Sequence, residues 1–487
     1  MELTEKKEPP ALRRATFPAG LEVKLLIAFI VGLAFIGIFQ IIKTDSMAIL
    51  AIAAALCGVV LIWLGGTRAC LPLYLATAFG DAMPLPGAPG ISLNQCLALA
   101  VLAAFVVDVI RFKTKTRLRL SQNILIIFGI YVVTAAVLLK PAATEYPVQA
   151  PFYMFLGLIV TVLFWKPRWL NVLLGGIVVM AMLLLVIPGY LEFITGKDYM
   201  LSGKVRDSFR VNGLAKDSVV FAGVCVWTLF FAVYLAFSAR LGIARVIFGV
   251  CIPLIVAVSL ITFNRQTPIV ITFCMLVMLF FMRSRYKYLV GGLILVAGLA
   301  AAPFFLPTII ERFGSAKSIL TDYSLIEHHD KIEIAKEAFR RHPIFGIGHS
   351  AFKDTWTEYL PHGKIYSLYE YPHTRLTYVD MGYMQIAAEY GIVGATLVLA
   401  FFIAAAALFF RTYRTSLRLK DPLYANLLAM CAALFAQLLI SLFVRDAFLT
   451  PQTYVMLGIF FASCTAVEEA AAREAEDVPA DTKALPA

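Results

Sequence analysis

The ionisable residues best suited to acid–base chemistry are gathered in one polar segment, Pro307–Asp380. All six histidines of the chain lie in it, and mostly apolar sequence flanks it on both sides. Within it, His373, Arg375 and Asp380 form the densest set of ionisable groups beside a series of aromatic residues. A chain that confines every imidazole to one loop is expected to keep its chemistry there.

Two of the neighbouring aromatic residues, Trp356 and Tyr383, are candidates for binding a substrate. Aromatic faces stack on sugars, but Trp and Tyr also anchor proteins in membrane interfaces. Composition does not separate these two roles, so both stay open.

Arginines next to a predicted membrane span form a second group of candidates. Arg206 and Arg210 lie in a polar segment that leads into an apolar run beginning at Ser218. A guanidinium presents a fixed fork of donors that suits phosphate oxygens, and a nearby helix start also favours an anion. On this segment alone, hydrogen bonds to lipid headgroups are the favoured role.

Arg265 stands between two apolar runs that have almost no loop between them. An ionisable residue at membrane depth is by default a functional candidate, and the alternative is a side chain that snorkels to the interface. Snorkelling needs no polar neighbours, whereas Asn264 and Gln266 flank this arginine. The pattern therefore favours a functional role.

The composition indicates the scaffold that must position these residues. Of 487 residues, 61% are hydrophobic and only 15% are charged, against about a quarter charged in soluble domains. We therefore predict an all-α, polytopic membrane protein with about 12–14 transmembrane helices. The net charge of +11 does not indicate nucleic-acid binding, because the cations sit mainly between apolar runs. The eight cysteines lie in or beside those runs without a CxxC pair and are interpreted as packing residues.

The apolar runs define the predicted spans, since a helix needs about 20 apolar residues to cross the hydrocarbon core. The predicted spans are Leu25–Ile42, Met47–Leu64, the shorter Ala69–Met83, Ile91–Ile110, Ile124–Leu139, Pro151–Trp165, Leu170–Leu191, Ser218–Ser238, Val246–Phe263, Pro268–Met282, Tyr288–Leu306, Gly391–Phe410, Leu423–Val444 and Leu449–Val467. The predicted organisation is a cytoplasmic tail at 1–24, a bundle at 25–306 with an outer loop at 192–217, a large outer loop at 307–380, C-terminal spans at 381–467 and a cytoplasmic tail at 468–487.

The cations predict which side of the membrane each connection faces. With fourteen spans and the N-terminus inside, seventeen Lys or Arg residues fall in short cytoplasmic connections and four in short outer ones. The cytoplasmic set lies at Arg68, Arg111–Arg119, Lys166–Arg168, Arg240–Arg245, Arg283–Lys287 and Arg411–Lys420. Both long loops then face outward, which in a bacterium means the periplasmic side of the inner membrane.

The large loop is predicted to open with a helix. Ser324 and Glu327 have the spacing of a capping box, and Arg340–His342 followed by Pro343 forms a stop signal. The predicted apolar face comprises Ile332, Ala335, Ala338 and Phe339. His342 is interpreted as a C-terminal capping residue rather than a catalyst.

Four segments together resemble the O-antigen ligase and O-antigen polymerase superfamily, bacterial inner-membrane glycosyltransferases of the C-type membrane fold. Arg210–Gly213 resembles the family's Arg-x-x-Gly segment, and Thr262–Arg265 its Thr-x-Ser-Arg, with Asn264 where Ser is usual. Ala338–Gly348 resembles the helix-His-Pro-x-x-Gly-x-Gly hallmark, and Asp380–Gly394 the motif that opens the next span.

The resemblance implies metal-independent transfer of a glycan from an undecaprenyl-diphosphate donor to a hydroxyl of a glycan or lipid A-core acceptor, without a cofactor. It implies that Arg210 and Arg265 clamp the diphosphate and that His373 or Asp380 orients or deprotonates the acceptor. Arg206, Arg375, Tyr383 and Trp356 are further substrate-binding candidates. Ligases usually begin the last motif with His-Asn, and here Asp380-Met381 favours a polymerase.

A transporter or flippase for a lipid-linked or amphipathic substrate is the alternative from another class. Such proteins carry charges buried in mid-span or discontinuous helices in two related halves, and this sequence has no evident half-repeat.

Overall fold

A computed structural model describes residues 119–139, 149–195, 218–238, 242–262, 266–284, 323–360, 381–443 and 450–476, with short pieces at 71, 100–106, 108, 264, 287–288, 291–292 and 379. The chain divides into two compact units, Met1–Thr114 and Lys115–Ala487, and almost all described residues belong to the second. The fold below is therefore that of the second unit.

Within the described residues the secondary structure is helical throughout, as the apolar runs predict. We label the helices in chain order as α1 (Leu120–Leu139), α2 (Gln149–Leu163), α3 (Pro167–Ala181), α4 (Ile187–Thr195), α5 (Ser218–Ser238), α6 (Gly242–Ile261), α7 (Gln266–Phe281), α8 (Tyr323–Arg341), α9 (Phe352–Thr355), α10 (Gly382–Ser416), α11 (Leu423–Leu442) and α12 (Pro451–Glu476). A π-helical turn, Met182–Val186, joins α3 to α4, and a 3-10 turn, Trp356–Tyr359, follows α9.

Where the chain is described, the predicted spans and the observed helices overlap and differ mainly at their ends. The predicted spans Leu25–Ile42, Met47–Leu64, Ala69–Met83 and Tyr288–Leu306 lie wholly or almost wholly outside the described residues. Helix α5 has the bounds predicted for its span, whereas α10 extends well beyond the predicted Gly391–Phe410 on both sides. Hydrophobicity marks the part of a helix that suits lipid, but helical hydrogen bonding continues into the polar sequence beyond it.

Five described helices are long and apolar enough to cross a membrane: α5, α6, α10, α11 and α12. In α5, 78% of the residues in the apolar window are buried by other helices, but in α6 only 17% are. Exposed side chains such as Ile243, Val246 and Val250 give α6 an apolar outer surface. An apolar surface of this length suits contact with lipid, and the fold is that of a polytopic helical membrane protein.

One end of the bundle, which we call the basic end, is held by arginine side chains. Arg119, just before α1, forms an ion pair of 2.8 Å with Glu468 of α12 and donates to the Thr465 hydroxyl at 3.0 Å. Arg283, after α7, donates to the carbonyls of Leu417 and Leu419 at 2.9 and 3.1 Å. The structure thus brings together three of the basic connections that the sequence assigns to one side.

Candidate functional site

The site is built at the opposite end of α10, where the chain leaves α8. Helix α8 buries Ile334, Ala335 and Ala338 in a small hydrophobic cluster. The predicted apolar face is shifted slightly, since Ile332 and Phe339 are only partly buried. The helix ends at Arg341, as predicted, and the exposed His342 leads into a tight turn, Pro343–Gly348, which we call the 343–348 turn.

Helix α10 is broken at Gly391, whose φ of 62° and ψ of −162° are not helical. Such a break frees backbone amides after it and backbone carbonyls before it, and unpaired groups are costly inside a membrane. The 343–348 turn forms hydrogen bonds with both the freed amides and the freed carbonyls. Its Pro343 and Ile344 carbonyls accept from the amides of Ile392 and Val393 at 2.8 and 3.3 Å, and its Ile347 and Gly348 amides donate to the carbonyls of Ala388 and Glu389, both at 3.0 Å.

Glycine is required on both sides of this exchange. A Cβ atom at Gly346 would overlap the backbone of Glu389, and one at Gly391 would overlap the carbonyl of Ile344. Both residues also have positive φ. Two of the four family-like segments, 338–348 and 380–394, are therefore complementary halves of one backbone junction.

A buried pair of side chains joins the same two segments. The His349 Nδ1 lies 2.5 Å from the Tyr390 hydroxyl, and the two rings stack with centroids 6.1 Å apart. His349 is 8% exposed and Tyr390 fully buried. Burial lowers the pKa of His349 from its ordinary value of 6.5, which favours a neutral imidazole at pH 7.

Polar side chains of α1 and α10 lie beside the junction. The Tyr131 hydroxyl of α1 lies 2.9 Å from the Tyr390 carbonyl and 3.0 Å from the Phe345 carbonyl, and so ties α1 to both sides of the break. One turn earlier in α10, the buried Gln385 donates to the buried Glu389 carboxylate at 3.4 Å. A set of buried polar groups thus lies beside the broken helix.

The two described aromatic candidates both have packing partners. Trp356 is partly buried and packs against the hydrophobic cluster under α8. Tyr383 lies edge-on to Phe443 at 4.8 Å, and its hydroxyl is 3.4 Å from the Leu439 carbonyl. Their assignment to substrate binding stays a prediction.

The remaining predicted site residues are outside the described part of the chain: Arg206, Arg210, Arg265, His373, Arg375 and Asp380. The structure therefore does not test the diphosphate clamp or the choice of general base. It does describe both sequence neighbours of Arg265. The Asn264 side chain accepts from the Gln266 amide at 3.1 Å, and its carbonyl accepts from the Thr267 amide at 3.1 Å. Asn264 thus caps the start of α7, a position for which Asn is among the most favoured residues.

The pairing of His349 with Tyr390 was not predicted from the sequence. His349 directly follows Gly348, and Tyr390 lies between Glu389 and Gly391, so each adjoins a family-like glycine. Nothing in the linear spacing relates the two residues, because only the docking of the turn on α10 brings them together.

No group of three His, Cys, Asp or Glu residues that could hold a metal ion is found among the residues that the structure describes. His373 and Asp380 are not among these residues.

Residues 254–399 match a family model described as O-antigen ligase, which is less than a third of the chain. The matched segment contains Thr262–Arg265, the 343–348 turn and the break at Gly391, and so includes three of the four segments on which the resemblance rests. No curated protein sequence matches the chain.

Proposed function

We propose, from the premise that this chain carries an O-antigen ligase domain at residues 254–399, that it transfers a glycan from an undecaprenyl-diphosphate donor to a sugar hydroxyl. The family match supports activity of the O-antigen ligase type in general, and the donor, the acceptor and the mechanism below are our proposal. We place the protein in a bacterial inner membrane with its active site at the periplasmic face, on the distribution of basic residues.

The observation that carries the proposal is the backbone junction between the 343–348 turn and α10. Both halves lie in the matched segment, and the glycines that shape them are the ones that the motifs specify. Two motif segments that contact each other in the structure support the family resemblance more strongly than the same residues would if they lay far apart.

We propose that arginine side chains, and not a metal ion, supply the positive charge that the reaction needs. The leaving group is a lipid diphosphate, and fixed positive charge that stabilises its developing negative charge is usually the largest catalytic contribution. Arg265 follows the Asn264 cap directly in sequence, and we assign it to the diphosphate together with Arg210. His373 or Asp380 would take the proton from the acceptor hydroxyl.

An apolar groove between α1, α2 and α12 offers room for part of a hydrocarbon chain. Its volume is about 370 Å³, and Ile130, Leu158 and Leu457 are among its lining residues. The hydroxyls of the two lining threonines, Thr134 and Thr161, donate to carbonyls of their own helices at 2.8 and 2.9 Å. The groove therefore presents mostly apolar surface, which suits an isoprenoid tail better than a sugar.

Transfer from a lipid-diphosphate-linked glycan by the purified protein tests the proposal. Arg265→Ala should lower the rate about a hundredfold or more, since losing one charge contact to a transition state costs roughly 3 kcal/mol. Arg265→Lys should not restore the rate, because lysine lacks the planar fork. Arg418→Ala is the matched control, since this exposed arginine lies at the basic end.

Three further measurements refine the test. Transfer should continue in excess chelator, and a loss that one metal restores would contradict the arginine clamp. His373→Ala and Asp380→Asn compare the two candidate bases. Movement of the lipid-linked glycan across the bilayer without a new glycosidic bond would instead identify a flippase.

A further inference from the structure

The 343–348 turn exposes two large apolar side chains. Ile344 is 55% exposed and Phe345 is 53% exposed, whereas the Gly346, Ile347 and Gly348 that follow are buried. The backbone of the turn is thus held firmly against α10 while its first apolar residues point away from the protein.

These two side chains continue the outer surface of α10. The Ile344 carbonyl accepts from the Val393 amide, next to the 54% exposed Ile392. Further along α10, the exposed large apolar residues recur at spacings of seven and four, which is one helical face. They are Ile392, Leu399, Ile403 and Phe410.

The same two side chains also adjoin the outer surface of α1. The Phe345 carbonyl lies 3.0 Å from the Tyr131 hydroxyl, and Tyr131 follows Ile130, which is 61% exposed. Ile126 and Ile127 of α1 are exposed as well. Ile344 and Phe345 therefore lie between two outer apolar faces of a protein whose fold is that of a membrane-spanning bundle.

Two properties of the 343–348 turn suit it to a position between two apolar outer faces. Charged side chains stop before it. The last two, Arg340 and Arg341, lie at the end of α8 and both pair with Glu337, and the Arg340 side chain is 77% exposed. The backbone groups freed at Gly391 are paired with the turn and do not depend on water. Non-helical backbone at membrane depth is tolerated where protein pairs it in this way.

We infer that the 343–348 turn is a membrane-inserted wedge, in which Ile344 and Phe345 lie among the hydrocarbon chains of phospholipids next to α1 and α10. The occupant of this surface is a phospholipid bilayer, because the exposed pair extends a surface that already faces lipid. Insertion sets the depth of the neighbouring His349–Tyr390 pair at the membrane interface. The inference does not depend on the glycosyl-transfer reaction.

Cysteine labelling in a bilayer tests this wedge. Phe345→Cys and Arg340→Cys are compared in proteoliposomes of phosphatidylethanolamine and phosphatidylglycerol, with a membrane-impermeant maleimide on both sides of the bilayer. The protein alone leaves both positions open, so without lipid contact the two should react at similar rates. We expect Phe345→Cys to react at least tenfold more slowly, after subtraction of labelling in the parent chain.

A spin label on Phe345→Cys gives an independent readout that a slow chemical reaction cannot imitate. Collisions with oxygen should exceed collisions with a water-soluble nickel chelate, and the order should reverse for Arg340→Cys. Equal maleimide rates, or more nickel than oxygen collisions at position 345, would overturn the inference. The inference would also be overturned if Phe345→Cys were protected from the maleimide in cells but not in proteoliposomes, because another protein would then cover this surface. Each variant must first show the same thermal unfolding midpoint as the parent protein.

Discussion

At the basic end, Arg119 and Arg283 reach between helices with long side chains, whereas at the other end α10 and the 343–348 turn exchange backbone hydrogen bonds. Arg119 pairs with the half-exposed Glu468 side chain, which has alternative partners in water, and such ion pairs contribute little. Arg283 reaches the carbonyls of Leu417 and Leu419 through a long, flexible side chain. The backbone contacts depend on the absence of a Cβ atom at two positions, Gly346 and Gly391.

This difference between side-chain and backbone contacts indicates where the structure tolerates substitutions. A side-chain bridge can lose one partner and leave the helices in place, but a backbone junction fails when the two chains cannot approach. The family match covers the backbone junction, and it includes Arg283 but neither Arg119 nor Glu468 of the basic end. We therefore expect substitutions at the junction to affect folding and activity more than substitutions at the basic end.

Gly391→Ala should have the largest effect. The new Cβ would overlap the Ile344 carbonyl, and the φ and ψ of this residue are allowed almost only for glycine. Backbone strain alone costs about 1–3 kcal/mol, and the overlap adds to it. We expect little folded protein in fluorescence-detected size-exclusion chromatography. Gly249→Ala in α6 is the matched control, because no atom lies within 4 Å of its Cβ position.

Tyr390→Phe should have an intermediate effect. It removes the hydroxyl from the buried His349 ring, and a buried polar atom left without its partner costs about 1–3 kcal/mol. Tyr413→Phe is the counterpart near the basic end, where the lost bond is to the Phe281 carbonyl at 2.8 Å. The free energies of unfolding in mixed micelles compare the two. An equal or larger loss for Tyr413→Phe would remove the distinction between the ends.

Arg119→Gln and Glu468→Gln should have small effects. The Glu468 side chain is 46% exposed, so solvent screens its attraction to Arg119, and such pairs contribute about 0.2–1 kcal/mol. A double-mutant cycle should give a coupling free energy in this range that falls as salt is added. A coupling above about 2 kcal/mol that salt does not change would show that the basic end is as rigid as the junction.

The smallest effect should be a pH dependence that comes from His349. Because burial lowers its pKa in the folded protein, the unfolded chain binds the proton first as the pH falls below 6.5. Stability should therefore decrease below pH 6.5 and level off below the lowered pKa. His349→Gln should flatten this part of the unfolding curve against pH, and His342→Gln, on an exposed ring, is the control. If His349→Gln kept the full slope, another group would be responsible.

Individual helices and segments show which features could be predicted from the sequence. The bounds of α5 and the end of α8 at Arg341 follow from apolar length and from a local stop signal, and both were predicted correctly. The family-like segment at Ala338–Gly348 was recognised from its Pro and Gly residues, but its contact with α10 was not. The same holds for Asn264, which the sequence marks as a departure and the structure identifies as a cap for α7.

By itself, the sequence determined that the chain is a helical membrane protein, which stretches form the described membrane helices, and which connections carry positive charge. Those properties depend on hydrophobicity and charge over stretches of about 20 neighbouring residues. Only the tertiary structure decided that Gly346 meets Glu389, that His349 meets Tyr390, and that Tyr131 joins both segments. Backbone atoms make the junction, and every residue carries the same carbonyl and, except for proline, the same amide, so the partners cannot be identified from residue types. They are selected when α1, α8 and α10 pack together, and the missing Cβ atoms of Gly346 and Gly391 let the neighbouring backbones approach closely enough to bond.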